Sequence, residues 1–195
     1  SIIISLLQIL ENKIDSKKFK SEFLCYCLPG VLIGIFFILR FEEVINFKLI
    51  AGIMLLLSGL IRIDKSLSKT NDVLKKNSKK IHFFNGIIHG LTNMGGGFLA
   101  LLSSSIFQDK INIKNNIAFG YLLMGTLQYS LFFFLVDSFY YRYTHVLVGI
   151  SLFSFFILGK ILFAKISNFF FKNLITFLII IYGFITTITQ TLRYI

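Results

Sequence analysis

The chain has 195 residues, 55% of them hydrophobic and only 15% charged, with a mean hydropathy of +0.79 and a formal charge of +11. A soluble domain of this size needs more polar surface, so the composition excludes one and points to an all-α, polytopic membrane protein. The positive charge gives little ground for nucleic-acid binding; its placement in loops is the informative part.

In chain order, Ser1–Leu10 reads as the end of a membrane helix and Glu11–Glu22 as a charged loop with four Lys against three acids. Ser1 is not a start residue and no charged leader precedes the apolar run, so the chain reads as lacking its beginning. Phe23–Leu39 is a span whose Gly30 and Gly34 form a small-xxx-small pair, which admits a close neighbouring helix. Cys25 and Cys27 within it have neither metal nor disulfide spacing and read as small packing residues. A polar turn, Arg40–Asn46 with Glu42 and Glu43, leads to the span Phe47–Ile63. Asp64–Lys80, with six Lys and two Asp, is the one soluble stretch. Short basic loops stay on the cytoplasmic side, where it is expected.

The apolar run Ile81–Phe107 is interrupted by G-L-T-N-M-G-G-G-F, Gly90–Phe98. Glycine costs roughly 1 kcal/mol against alanine in a helix interior. Broken backbone at membrane depth persists only where protein buries it or where it lines a watery cavity. The glycines leave flanks too short for the roughly 20 residues of a spanning helix. The segment therefore crosses once as a broken helix or dips in and returns as a re-entrant hairpin.

Successive main-chain amides at Gly95, Gly96 and Gly97 suit an anion. Thr92 and Asn93 beside them are either ligands or caps of the half-helix. His89 is an ionisable group at membrane depth, read as a functional candidate or as a neutral partner of a neighbouring helix; His82 reads as interfacial. Gln108–Asn115 is a short loop, and Asn116–Val136 a span whose Thr126 and Gln128 could face the site or bond between helices. Asp137–Thr144 is a loop holding Asp137 and Arg142, followed by the span His145–Phe163, a turn at 164–170 and a last helix from Phe171 to Leu192. Lys160, Lys165 and Lys172 surround that turn with no acid among them. Such charge favours the cytoplasmic side and with it the re-entrant alternative, which leaves two crossings between the turn and the basic linker.

A shift of about 124 residues aligns Phe47–Ile61 with Phe171–Ile185, Gly59 falling on Gly183. With one residue of slippage, Gly34 falls on Gly159 and Ser5-Leu6 on Ser130-Leu131. The chain thus divides into 1–63, the end of a first transmembrane repeat; 64–80, a basic linker; and 81–195, a second repeat. The charge-balanced turn near 40–48 answers to a purely basic one near 160–172, as two inverted repeats would show.

G-I-I-H-G-L-T-N-M-G-G-G-F-L, Gly86–Leu99, followed by N-I-A-F-G-Y-L-L, Asn116–Leu123, resembles the second repeat of the TauE/SafE family of membrane transporters, in which a G-x-x-x-G-x-x-G-x-GGG-like run opens each repeat. Asn93 stands where that family usually has glycine, Phe119-Gly120 where it often has a small polar pair, and Ser103–Ser105 where a proline is common. The resemblance implies a multi-pass inner-membrane permease moving sulfite, an organosulfonate or another small anion by alternating access. Thr92, Asn93, Gly95, Gly96, Gly97 and His89 are the expected substrate-binding residues. The expected partners are the small anion and the lipid bilayer, without nucleic acid and with room for a homodimer; no cofactor, metal or catalytic residue is expected. The rival readings are a structural subunit of a membrane complex, in which the glycines only permit tight packing, and a membrane-embedded enzyme.

Overall fold

A computed structural model describes residues 2–11, 16–41, 45–63, 76–135 and 144–192. The expectations for Glu42 and Glu43, for most of the basic linker, for Asp137 and for Arg142 lie outside the described residues. Among the described residues every regular element is helical, as hydrocarbon demands of a chain that must satisfy its own N–H and C=O groups. We number the helices α1 (Ile2–Glu11), α2 (Lys17–Phe41), α3 (Phe47–Ile63), α4 (Ser78–Thr92), α5 (Gly95–Ile106), α6 (Lys110–Leu135), α7 (144–165) and α8 (Asn168–Leu192). Among the described residues three helical stretches are long and apolar enough to cross a membrane: Lys17–Phe41, Val148–Lys165 and Asn168–Leu192. Large apolar side chains on the outside, such as Phe36, Phe134 and Phe169, fit a surface that meets lipid.

Several boundaries differ from the sequence reading, the last helix among them, which starts at Asn168 instead of Phe171. The loop expected over Glu11–Glu22 is already helical from Lys17, because Phe19 and Glu22 are buried and the helix runs on into the apolar span. The linker gives way to α4 at Ser78, and α6 starts at Lys110 instead of after Asn115. Asp109 opens α6: its carboxylate accepts from the amides of Ile111 and Asn112 at 3.1 and 3.0 Å, satisfying donors that have no partner within the helix. Charged first turns thus belong to helices. In α2, Pro29 follows a π-helical turn at Phe23–Cys27. A proline removes one backbone donor and crowds the carbonyl a turn earlier, and the widened turn absorbs both effects.

Two glycine seams set the packing. Along α2 and α4, Gly30 meets Phe83 and Ile87, Gly34 meets Ile87 and Gly90, and Gly86 meets Cys27, all through backbone atoms. The partners advance together, so the two helices run parallel. Along α3 and α8, Gly52 lies against Thr186 and Thr187, Gly183 against Leu56, and Gly59 against Ile180. One index rises as the other falls, so this pair is antiparallel. Small residues let backbones approach where lipid offers no hydrophobic drive for association.

The glycine segment turns back on itself. An atom at the Cβ position of Gly95 would lie 3.0 Å from the carbonyl oxygen of Asn85, whereas ten residues of continuous helix span about 15 Å. At the open end, Phe19 stacks edge-on against both His82 of α4 and Phe107 after α5, at 4.8 and 5.7 Å between centroids. The start of α4 and the end of α5 are therefore neighbours. The turn after α7 joins the same end, where the Lys110 ammonium donates to the carbonyls of Phe163 and Ile166 at 2.8 and 2.6 Å. This hairpin resolves the two alternatives of the sequence in favour of the re-entrant one. With 15 and 12 residues in its arms, its tip lies about 20 Å from that end, deep in a hydrocarbon layer about 30 Å thick. Two buried clusters hold the tip. Phe23, Val31, Leu99 and Met124 pack on one side, and Ala51, Leu55, Met94, Ile175 and Ile179 on the other.

Candidate functional site

The tip is built by three residues. Thr92 Oγ1 donates to the Ile88 carbonyl at 2.6 Å and accepts from the Met94 amide at 3.1 Å. Asn93 adopts φ 59° and ψ 15°, the left-handed conformation, while its amide donates to the His89 carbonyl at 2.8 Å. It is the single non-glycine residue with positive φ among the described residues. Asparagine is the side chain best suited to that region after glycine, which explains how it can stand where the family pattern has glycine. Met94 then starts α5, and the Gly97 amide donates back to its carbonyl at 3.2 Å.

Asn93→Val sets a β-branched residue in this conformation and costs about 1–2 kcal/mol. Thermal unfolding in detergent should show a clear drop in midpoint for Asn93→Val and almost none for Asn93→Gly. Equal midpoints for the two would contradict the left-handed break.

Beside the tip lies a cavity of about 260 Å³, between α5, α6 and α8. Asn93, Gly96, Gly97, Tyr121 and Tyr182 line it, with Ile175, Leu178 and Ile179 forming an apolar wall. The amides of Gly95 and Gly96 precede the first backbone bond of α5, so they belong to the unpaired donors of a helix N-terminus, and the helix dipole adds partial positive charge there. Among the described residues no formally charged side chain lines the space. A small anion here would meet neutral donors and a dipole in a low-dielectric wall, where such interactions gain strength.

The six residues proposed from sequence separate into two groups. Asn93, Gly96 and Gly97 border the cavity. Thr92 is buried, its hydroxyl engaged by the backbone. Gly95 packs against the Cβ of His89 and the carbonyl of Asn85. His89 is buried behind the tip, its Nε2 3.1 Å from Gln128 Oε1 on α6. Thr126 bonds to carbonyls of its own helix, and His82, at the open end of the hairpin, is fully buried between Phe19 and Phe23.

Sequence reasoning missed Tyr121, Tyr182 and Glu22. A tyrosine in mid-span, away from the interfacial belts where tyrosine gathers, was the available signal for Tyr121. Glu22 looked like a loop charge, yet it is buried and accepts from Ser78 Oγ at 2.5 Å. Nothing in the local pattern announces that partner, which is 56 residues away. Among the described residues no group of three or more His, Cys, Asp or Glu could hold a metal.

No match is found among curated proteins or solved structures. The profile of the Sulfite exporter TauE/SafE family matches residues 2–186. With the apolar helices and the glycine-opened hairpin, that match over nearly the whole chain makes this a multi-pass membrane protein belonging to the sulfite exporter TauE/SafE family.

Proposed function

We propose that the chain moves a small oxyanion, sulfite or an organosulfonate, across the inner membrane by alternating access, with the cavity at the hairpin tip as its binding site. One observation carries the reading: the left-handed break at Asn93 starts a helix at membrane depth with its unpaired amides beside a cavity that also holds the Tyr121 and Tyr182 side chains. The Gly96 amide, the Asn93 side chain and the tyrosine hydroxyls are the donors, and the apolar wall of α8 excludes water. Thr92, Gly95 and His89 act on the anion through the tip they shape.

Two inverted repeats fit this mechanism. Phe47–Ile63 and Asn168–Leu192 contain the segments that align in sequence, and they pack antiparallel, as equivalent helices beside an in-plane two-fold axis would. The repeats do not form separate cores, since α2 of the first packs along α4 of the second. For an exported anion the membrane potential supplies about 2.3 kcal/mol per charge per 100 mV.

The test is anion uptake into proteoliposomes holding the complete protein, comparing sulfite, sulfoacetate, sulfate and chloride. Saturable flux of sulfite or the sulfonate, with sulfate and chloride slower, is the expected result. Folded protein that moves none of the four overturns the reading.

A further inference from the structure

A second, larger cavity of about 660 Å³ opens at the basic end of the bundle, enclosed by α1, α6, α7 and α8. Its polar lining is Gln8, Glu11, Lys114 and Lys160; Ile117, Phe155, Phe163 and Phe171 give it an apolar floor. Lys160 pairs with Glu11, Nζ to Oε1 at 2.5 Å. Both are well exposed, so the pair adds little stability. Lys110, one turn before Lys114 on α6, is used up in capping the carbonyl end of α7. Lys114 differs. It is half-buried, its ammonium sits 4.6 Å from the centre of the Phe163 ring, and it has no hydrogen-bond acceptor among the described residues. The charges it senses are Glu11, already paired, and Lys160. Two lysines therefore share one carboxylate at the mouth of an apolar cleft.

The cleft lies where the lysines of the bundle end give way to its apolar belt, which is headgroup depth. Basic pockets between helices on this side suit anionic headgroups, and hydrocarbon suits the floor. A free anion would gain nothing from the four apolar side chains. A zwitterionic lipid would bring a second cation to the lysines.

We propose that this cleft binds an anionic phospholipid, its phosphate between Lys114 and Lys160 and an acyl chain over Phe155 and Phe171. The assignment stands apart from the transported substrate and from the cavity at the hairpin tip.

Native mass spectrometry and thermal unfolding of the full chain in detergent test it, using phosphatidylglycerol, phosphatidylcholine and inorganic phosphate as probes. Phosphatidylglycerol should be retained and should raise the unfolding midpoint, with the other two inert. Lys114→Gln should weaken retention about fivefold, one interfacial lysine's share, and Glu11→Gln should strengthen it. Equal retention of the two lipids, or Lys114→Gln behaving as wild type while folded, overturns the proposal. Stabilisation by inorganic phosphate alone also overturns it, and assigns the lysines to a soluble anion.

Discussion

Gly86→Ala should make the bundle unfold more readily, whereas the same change at Gly149 should stabilise it. In both helices alanine replaces glycine and gains roughly 1 kcal/mol of helix propensity. What differs is the space around the new methyl. At Gly86 it would press on the carbonyl oxygen of Cys27 and lie 2.9 Å from that carbonyl's carbon and 3.0 Å from the Val31 amide nitrogen. All three are backbone atoms of α2, so no rotamer change relieves them and the helices must part. Overpacking commonly costs about 1–3 kcal/mol, and more where nothing can yield. The penalty exceeds the propensity gain, and against a total stability of roughly 5–15 kcal/mol it is large. At Gly149 nothing lies within 4 Å, so the gain stands alone. Unfolding midpoints of the two variants in one detergent should move in opposite directions. A Gly86→Ala midpoint at or above wild type would mean that α2 and α4 do not meet through backbone.

The seam shows what the sequence could and could not disclose. Gly30 and Gly34 announce a close helix contact by their spacing alone, but spacing does not name the partner. Gly86 and Gly90 form an identical pair that the glycine run beside them obscured as a packing signal. The hairpin was legible for a different reason: glycines in an apolar run too short to span twice leave few geometries, and the lysines near 160–172 favoured one of them. At the proposed site, a main-chain donor could be read from Gly96 because such a donor needs only the absence of a side chain, whereas the Gly97 amide is spent on the Met94 carbonyl. Tyr121 and Tyr182 could not, because their place on the cavity wall depends on α6 and α8 converging on α5, a tertiary fact. Thr92 and His89 were chosen for their chemistry, yet that chemistry is directed at the Ile88 carbonyl and at Gln128.

Gly96→Ala should abolish most anion flux while leaving the protein folded, and the loss should depend on Tyr121. An added methyl at Gly96 falls on the Tyr121 phenol, contacting its hydroxyl and lying 2.8 Å from Cε1. Unlike the Gly86 contact, this one is with the far end of a side chain that has open space beside it. The ring can swing into the 260 Å³ cavity, so the cost is a rotamer shift of order 1 kcal/mol, offset by the helix propensity of alanine. Stability therefore barely changes, but the ring now occupies the volume proposed for the anion. Flux should fall at least tenfold, roughly 1.4 kcal/mol or more in transport free energy, with the unfolding midpoint held within a few degrees. In a Tyr121→Ala background the obstructing ring is gone, so adding Gly96→Ala should change the remaining flux little. Such non-additivity is what two residues in contact produce. If the glycine run served packing alone, Gly96→Ala would lower stability or assembly and its effect on flux would follow the loss of folded protein. Independent, additive effects of the two substitutions on flux would place the anion's path away from the hairpin tip.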